Sequence, residues 1–288
     1  MSKVKVIAEI GCNHRGEMET AFELIKIAKD FCKADIVKFQ KRTPKELLSE
    51  EEYNAPHPNP ANSYGETYGL HREFLEFDLK QNKRLKEFCE KLGIIYSTSV
   101  WDLTSTKEIV SLNPQLIKIP SAANLKFDIH KYLCENYNGE IHISFGMTTQ
   151  AEEEEIVSFY EKHDKAKNLV VYSCTSGYPV PFEDICLLEI KRIKDKFQSR
   201  VKEIGFSGHH LGIAVDVCAL TLGARYIERH FTLDRTWKGT DHAASLEPDG
   251  MRKLVRDLQN CEKALAYKEK EILPIEQVQR DKLKRVLR

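Results

Sequence analysis

The chain has 288 residues, of which 41% are hydrophobic, a length that suits one large barrel or two small domains. Lysines plus arginines number 44, as do aspartates plus glutamates, so bulk charge gives no reason to expect a nucleic-acid or membrane partner. Eight cysteines without a Cys-x-x-Cys pair, and an N-terminus without a hydrophobic signal core, predict a cytoplasmic protein with buried thiols.

Short apolar runs rich in β-branched residues alternate with stretches of helical periodicity along the chain. Eight strands are predicted, at 4–10, 36–39, 94–98, 116–119, 141–144, 169–173, 203–206 and 226–231. Strict alternation of strands and helices indicates a parallel α/β sheet, and eight units predict closure into a single (β/α)8 TIM barrel. A doubly wound open sheet is the alternative, although no Gly-x-Gly-x-x-Gly turn follows the first strand.

The longest irregular stretch runs from about residue 41 to residue 77, directly after the second predicted strand. It carries four prolines and the aromatic and polar segment 62–71. Loops of this length are usually functional or disordered, so we expect a lid over the barrel mouth. The predicted organisation is therefore a barrel domain at 1–270 with this lid loop, followed by a tail at 271–288.

Polar or ionisable side chains stand at or just after the end of each predicted strand. In a (β/α)8 barrel the carboxyl ends of the strands form the catalytic face, so these side chains are the candidate site. They are Glu9, Lys38, Gln40, Thr98, Lys118, Ser121, Ser144, Tyr178, Ser207, His209 and His230.

Lys38 and Lys118 are each embedded among apolar residues inside a predicted strand. A buried lysine needs an ion-pair partner or an anionic ligand to offset its desolvation. One interpretation is an internal ion pair between each lysine and a barrel glutamate. The interpretation we favour is that the converging lysines, with hydroxyls from Ser121, Ser144 and Ser207, bind a phosphate and a carboxylate.

Histidines His209 and His230 end the last two strands, which are adjacent in a closed barrel. Their position beside Glu9 and Asp241 predicts a site for one divalent metal ion. Three other histidines are alternatives for a ligand or a substrate contact: His210, His242 and His14. The last of these could instead cap the first helix.

Six segments together resemble one known family, at residues 8–14, 37–40, 174–179, 205–209, 228–234 and 236–248. The first reads Ala-Glu-Ile-Gly-Cys-Asn-His, and the fifth reads Glu-Arg-His-Phe-Thr-Leu-Asp. The chain resembles the barrel of the N-acetylneuraminate (sialic acid) synthase family. The resemblance implies condensation of phosphoenolpyruvate with an open-chain N-acyl amino sugar such as N-acetylmannosamine, yielding a nonulosonic acid and phosphate.

The same resemblance implies roles for individual side chains. Mn2+ or Mg2+ would be bound by His209 and His230, with Glu9 nearby as a proton carrier. Phosphoenolpyruvate would be held by five residues, Lys38, Lys118, Ser121, Ser144 and Ser207. The sugar would face Gln40, Tyr178 and Asp241.

Two departures from the family pattern stand out. Ala123 occupies the position of a usual acidic residue. The tail at 271–288 resembles a linker to an antifreeze-like domain that caps the partner subunit's barrel in the family, which implies a homodimer. This sequence has no counterpart of that domain, so it would manage without it, be a shortened chain, or obtain it from another polypeptide. Arg285 and Arg288 could partly substitute for the arginine it supplies.

Three other functions remain open at this point. A synthase for a related nonulosonate or 3-deoxy-ulosonate would use a phosphorylated or differently acylated sugar. A non-catalytic binding barrel is compatible with the two departures but not with the retained lysines and histidines. A metal-dependent hydrolase is disfavoured, because such sites usually gather more carboxylate and histidine ligands than two histidines.

Overall fold

The computed structural model describes residues 3–284, and within this range eight parallel strands form one closed barrel. Their bounds are β1 Lys5–Gly11, β2 Ile36–Lys41, β3 Ile95–Val100, β4 Leu116–Ile119, β5 Glu140–Ser144, β6 Leu169–Cys174, β7 Glu203–Gly208 and β8 Tyr226–His230. Because β1 pairs with β8 as well as with β2, the sheet has no free edge. The predicted single (β/α)8 barrel is therefore confirmed, and the open-sheet alternative is wrong.

Helices follow the strands and cover the outside of the barrel. Their bounds are α1 Met18–Asp30, α2 Pro44–Leu47, α3 Glu50–Asn54, α4 Tyr68–Leu75, α5 Leu79–Leu92, α6 Leu103–Ser111, α7 Phe127–Asn136, α8 Gln150–Lys162, α9 Glu189–Phe197, α10 Ala214–Leu222, α11 Pro248–Ala264 and α12 Pro274–Leu283. Helix α5 shows why these segments are helical: Asp78 and Gln81 form a capping box, and Gly93 ends the helix with a positive φ of 70°.

Two hydrophobic cores stabilise the barrel. The larger core lies between the strands and the helices and includes Leu24, Val37 and Leu254. The smaller core fills the amino-terminal half of the barrel interior, where Ile7, Leu116 and five other residues pack together: Ile36, Val170, Tyr172, Tyr226 and the partly buried Ile95. The interior is thus closed on that side, and the polar positions are left at the carboxyl ends of the strands.

The stretch between β2 and α5 is more regular than the sequence analysis predicts, because it contains the short helices α2, α3 and α4. Local capping explains them: Pro44 stands at the first turn of α2, Ser49 caps α3, and Thr67 caps α4. These helices are too short to show hydrophobic periodicity. The stretch reaches the loop after β8, where the Tyr64 hydroxyl donates to the Lys238 carbonyl oxygen at 2.5 Å.

The chain end carries α11 and α12, and the tail residues Arg285 and Arg288 lie outside the described residues. Within residues 3–284, none of the helices combines the length and apolar character needed to span a bilayer.

Candidate active site

The register of the barrel sets the polar side chains of neighbouring strands at matching heights. Glu9 pairs with both Lys38 and His230, Ser99 pairs with Lys118, and Ser207 pairs with Cys174 and Glu228. These side chains line a cavity of about 300 Å³ at the carboxyl ends of the strands. Its lining comprises Glu9, Lys38, Gln40, Ser99, Trp101, Lys118, Pro120, Ser121, Ala122, Ser144, Met147, Cys174, Ser176, Tyr178, Ser207, His209, Glu228 and His230.

Both strand lysines make ion pairs at the floor of this cavity. Lys118 Nζ lies 2.6 Å from Glu228 Oε1, and Lys38 Nζ lies 3.7 Å from the same oxygen. Lys38 also pairs with Glu9, and all four side chains are at most 5% exposed. Ser207 donates to Glu228 Oε1 at 3.1 Å. The internal ion pairs, which the sequence analysis held as the alternative, are thus present, and the same lysines line the cavity.

The two glutamates differ in their surroundings. Burial raises the pKa of Glu9, although nearby Lys38 opposes this shift. Burial acts in the same direction on Glu228, but the charges of Lys118 and Lys38 outweigh it and hold the pKa of Glu228 well below its usual range. The pKa of Lys118 is lowered by burial despite the attraction of Glu228. Two carboxyl groups whose pKa values are shifted in opposite directions are common in active sites that catalyse proton transfer.

The imidazoles of His209 and His230 lie side by side, with ring centroids 5.4 Å apart. Tyr178 packs against the first at 4.4 Å and against the second at 5.7 Å. Burial, and then the neighbouring His230, lowers the pKa of His209 to about 3, so its ring is neutral at physiological pH. Its Nδ1 lies 3.1 Å from the carbonyl oxygen of Thr175, a contact that requires a proton on Nδ1 and leaves a lone pair on Nε2.

One side of the cavity is organised around Gln40. Its amide donates to Glu9 Oε1 at 2.8 Å, while its carbonyl oxygen accepts from Arg42 at 2.8 Å and from Trp101 at 2.6 Å. Gly11 lies next to this network at a φ of 57°, and a Cβ there would lie 3.2 Å from Glu9 Oε1 and 3.6 Å from Asp241 Oδ2. Glycine at position 11 therefore keeps the space between Glu9 Oε1 and Asp241 Oδ2 open.

Residues 24–270 match the NeuB family. N-acetylneuraminate-9-phosphate synthase from Homo sapiens is 35% identical over 278 residues, which cover 96% of this chain and 76% of that protein. N,N'-diacetyllegionaminic acid synthase from Campylobacter jejuni is also 35% identical, over 92% of this chain and 78% of that protein. The chain belongs to the NeuB family. The resemblance stated from the six sequence segments is thereby confirmed.

Solved structures agree with this NeuB-family assignment. The N-acetylneuraminic acid (sialic acid) synthetase from Leptospira borgpetersenii superimposes with a TM-score of 0.82 at 28% identity, covering 99% of this chain and 94% of that one. A truncated 3-deoxy-D-arabino-heptulosonate 7-phosphate synthase from Thermotoga maritima superimposes with a TM-score of 0.68 at 13% identity. At that identity the likeness concerns the barrel fold alone.

In this NeuB-family chain, most of the predicted site residues lie around the one cavity. Ten of them line it: Glu9, Lys38, Gln40, Lys118, Ser121, Ser144, Tyr178, Ser207, His209 and His230. Asp241 borders it, with Oδ2 3.8 Å from His230 Nδ1. Thr98 is the exception, and the prediction that it lines the cavity is wrong. Its hydroxyl lies 3.1 Å from the hydroxyl of Tyr96, which packs outside the barrel. Alternate residues of β3 face opposite sides of the sheet, and Thr98 faces outward like Tyr96. Ser99 takes the inward position.

The alternative histidines lie away from the cavity. His210 contacts Arg229 and Asp216, and His242 lies 2.7 Å from the Thr232 hydroxyl. His14 accepts a hydrogen bond from the Gly16 amide and stacks on Phe77, so it stabilises the turn before α1 and does not contact the substrate cavity. Ala123 is buried in the outer core and its neighbour Ala122 lines the cavity. These positions leave His209 and His230 as the histidine pair of the site.

Glu228 is the main residue that the sequence analysis missed. It lies in the middle of β8, two positions before His230, and the period of two in a strand places both side chains on the inner face. Lys38 and Lys118 were singled out as charged residues inside strands, and Glu228 and Arg229 also lie inside one. The signal that could have identified Glu228 was therefore a charged residue inside a predicted strand.

The histidine pair fits a divalent metal ion by the chemistry of its donors. The lone pair on His209 Nε2 is available, and His230 Nδ1 is buried with no hydrogen-bond partner in the structure. A backbone carbonyl that orients the other ring nitrogen is the usual second partner of a metal-binding histidine. Within residues 3–284 there is no cluster of three or more histidine, cysteine, aspartate or glutamate side chains arranged to hold an ion. Two imidazoles would therefore leave coordination positions open for water or substrate.

Proposed function

We propose that this protein condenses phosphoenolpyruvate with an open-chain N-acyl amino sugar, giving a nonulosonic acid and inorganic phosphate. The observation that carries the proposal is the single cavity that joins two buried lysines, three serine hydroxyls and the pair His209 and His230. Membership of the NeuB family supports it, since the characterised relatives named above are synthases of sialic and legionaminic acids.

In this proposal the phosphate and carboxylate of phosphoenolpyruvate lie against the lysine side of the cavity. Lys38 and Lys118 supply positive charge, and Ser121, Ser144 and Ser207 supply hydroxyl donors. Removal from water makes these contacts stronger than the same contacts at a protein surface, because the effective dielectric constant is lower. The enolpyruvate would thus be held at the floor of the cavity with its carbon nucleophile toward the mouth.

Nearer the mouth of the cavity, the histidine pair with Gln40, Tyr178 and Asp241 would face the amino sugar. A divalent ion bound by the two imidazoles would supply Lewis acidity toward the sugar aldehyde. The C3 carbon of phosphoenolpyruvate forms a bond to the aldehyde carbon, water adds at C2, and phosphate leaves with the C2 oxygen. Glu9 contacts both Lys38 and Gln40, between the floor and the mouth of the cavity, where it is placed to carry a proton.

The acceptor sugar is not decided by overall identity, because the human 9-phosphate synthase and the Campylobacter legionaminic acid synthase are equally similar to this chain. The relatives thus support the type of reaction and are compatible with several acceptor sugars. The synthase for a different acceptor, held as an alternative above, is therefore one version of the same proposal.

Phosphate release tests the proposal directly. The purified protein, loaded with Mn2+, is incubated with phosphoenolpyruvate and each member of a panel of N-acyl hexosamines, and the products are identified by mass spectrometry. We expect release that requires both substrates and a product mass equal to their sum plus water minus phosphoric acid. A protein that binds phosphoenolpyruvate but releases no acceptor-dependent phosphate would instead support the non-catalytic barrel.

A further inference from the structure

The side chain of Gln40 is held on one side by two groups that can only donate hydrogen bonds. Its carbonyl oxygen accepts from the indole nitrogen of Trp101 at 2.6 Å and from the guanidinium of Arg42 at 2.8 Å. An indole N–H and a guanidinium have no acceptor atom. The end of the Gln40 amide that faces them is therefore its oxygen, and both lone pairs of that oxygen are used.

The nitrogen end of the same amide faces the active-site cavity, which Gln40 lines. It donates one hydrogen to Glu9 Oε1 at 2.8 Å and carries a second. Across residues 3–284, Glu9 is the one acceptor that pairs with this nitrogen. The second N–H is thus left as a donor for a ligand in the cavity.

The two groups that hold the Gln40 oxygen are themselves fixed. The guanidinium of Arg42 lies 4.3 Å from the Trp101 ring centroid, and its Nη1 lies 3.0 Å from Glu76 Oε1. Glu76 also accepts from the backbone amide of Arg42 at 2.8 Å. The chain after β2 is joined to the chain after β3, because the Thr43 amide donates to Asp102 Oδ2 at 2.7 Å. Both donors are therefore in place before a ligand binds.

We propose that Trp101 and Arg42 are positioning residues that hold the Gln40 amide with a donor turned toward the acceptor sugar. The inference rests on the proposed function and adds the polarity of one sugar contact. Because Gln40 donates, the sugar atom opposite it is an oxygen, from a hydroxyl or from the acyl carbonyl. A reversed amide would place its oxygen against the Glu9 carboxylate, where two acceptors oppose each other. Trp101 and Arg42 act through Gln40 and need no contact with the sugar.

Removal of one donor tests this positioning. Trp101→Phe keeps a ring beside Arg42 but lacks the indole N–H. With the best acceptor of the hexosamine panel, we expect kcat/KM for the sugar to fall about fivefold, the value of one neutral hydrogen bond, while the KM for phosphoenolpyruvate changes less than about twofold. Trp237→Phe is the matched control, because the Trp237 ring also stacks on an arginine, with its centroid 4.0 Å from the Arg15 guanidinium, and lies outside the cavity lining.

A double-mutant cycle separates positioning from packing. Gln40→Met removes the amide and keeps a side chain of similar length, and it should lower kcat/KM for the sugar by more than about tenfold. In the Gln40→Met background, Trp101→Phe should cost less than about twofold, because the group through which Trp101 acts is gone. Trp101→Leu, a second variant without the indole nitrogen, should show the same dependence on Gln40. Urea unfolding midpoints establish that each variant is folded under the assay conditions.

The outcomes distinguish this inference from the proposed function. A loss with Trp101→Phe that disappears in the Gln40→Met background supports the inference. Equal fold losses in both backgrounds, a loss no larger than that of Trp237→Phe, or full activity of Gln40→Met would overturn it and leave the proposed function standing. Absence of acceptor-dependent phosphate release by the unsubstituted protein would overturn the proposed function, and this inference with it.

Discussion

Glu228→Gln is the substitution that tests the lysine cluster most directly, because one carboxylate oxygen contacts both lysines. Lys118 Nζ lies 2.6 Å from Glu228 Oε1 and Lys38 Nζ lies 3.7 Å from it. The glutamine side chain has the same shape and keeps an oxygen that can accept from Ser207 and Lys118. The change therefore removes the negative charge with little change in packing.

The magnitude follows from these distances. At an effective dielectric constant of about 20, the attraction of Glu228 is worth about 6 kcal/mol to Lys118 and about 4 kcal/mol to Lys38, before desolvation is subtracted. Because both ammonium groups contact one oxygen, they lie no more than about 6 Å apart, and their repulsion of about 3 kcal/mol is then opposed only by the ion pair of Lys38 with Glu9. Loss of one partner from a buried ion pair typically costs about 3–5 kcal/mol. Since glutamine keeps the hydrogen bonds, we expect a loss of about 3 kcal/mol.

Urea unfolding at neutral pH in a phosphate-free buffer measures this loss as a change in the free energy of unfolding. The matched control is Glu155→Gln, at an exposed position on α8, which should change the free energy by less than about 0.5 kcal/mol. Added inorganic phosphate should stabilise Glu228→Gln more than the unsubstituted protein, because the anion replaces the missing charge. A loss no larger than that of the control would refute the inferred role of Glu228 as the charge that holds both lysines.

Three further predictions concern other parts of the molecule. Chelation should abolish activity and Mn2+ should restore it, whereas His209→Ala or His230→Ala should stay inactive at any Mn2+ concentration, because the donor atoms are missing. Tyr64→Phe should raise the KM for the amino sugar more than that for phosphoenolpyruvate, since it removes the 2.5 Å hydrogen bond to the Lys238 carbonyl. Burial lowers the pKa of His130 to about 4. The protein should therefore become less stable as the pH falls from about 6.5 toward 4, because in this range only the unfolded chain takes up a proton on His130.

Each of these has a result that contradicts it. Full turnover by either histidine variant would remove the metal assignment. Equal changes in both KM values for Tyr64→Phe would count against contact between the lid stretch and the sugar. For His130, urea midpoints are compared across this pH range with those of His130→Gln, and a parallel pH dependence in the two proteins would assign the effect to other groups.

The sequence predicted the barrel well because its signals are local and repeated. Each strand is a short apolar run, and the eight predicted strands lie at or within two residues of the observed ones. The lid stretch was predicted less well, since α2, α3 and α4 depend on caps such as Ser49 and Thr67 and not on periodicity. Capping boxes can be found in a sequence, but they are weaker signals than a hydrophobic repeat.

The sequence predicted which residues line the cavity where the end of a strand identifies them, but not where the face of the strand decides. Thr98 was predicted to line the cavity and Ser99 was not. Because alternate residues of β3 face opposite sides, it is Ser99 that faces the cavity. Glu228 was missed for the same reason, since it precedes the strand end by two residues.

The two interpretations of the strand lysines, ion pairing and anion binding, are compatible in this geometry. An ammonium group has three N–H donors, and Lys118 directs one to Glu228, while the Tyr172 ring centroid lies 4.2 Å from Lys118 Nζ. Donors remain for a ligand in the cavity, which Lys118 lines. The ion pair fixes the ammonium group at the carboxyl end of β4, so less side-chain entropy is lost when an anion binds. In the proposed function, Glu228 would therefore assist anion binding by positioning Lys118, even though its own charge opposes the ligand.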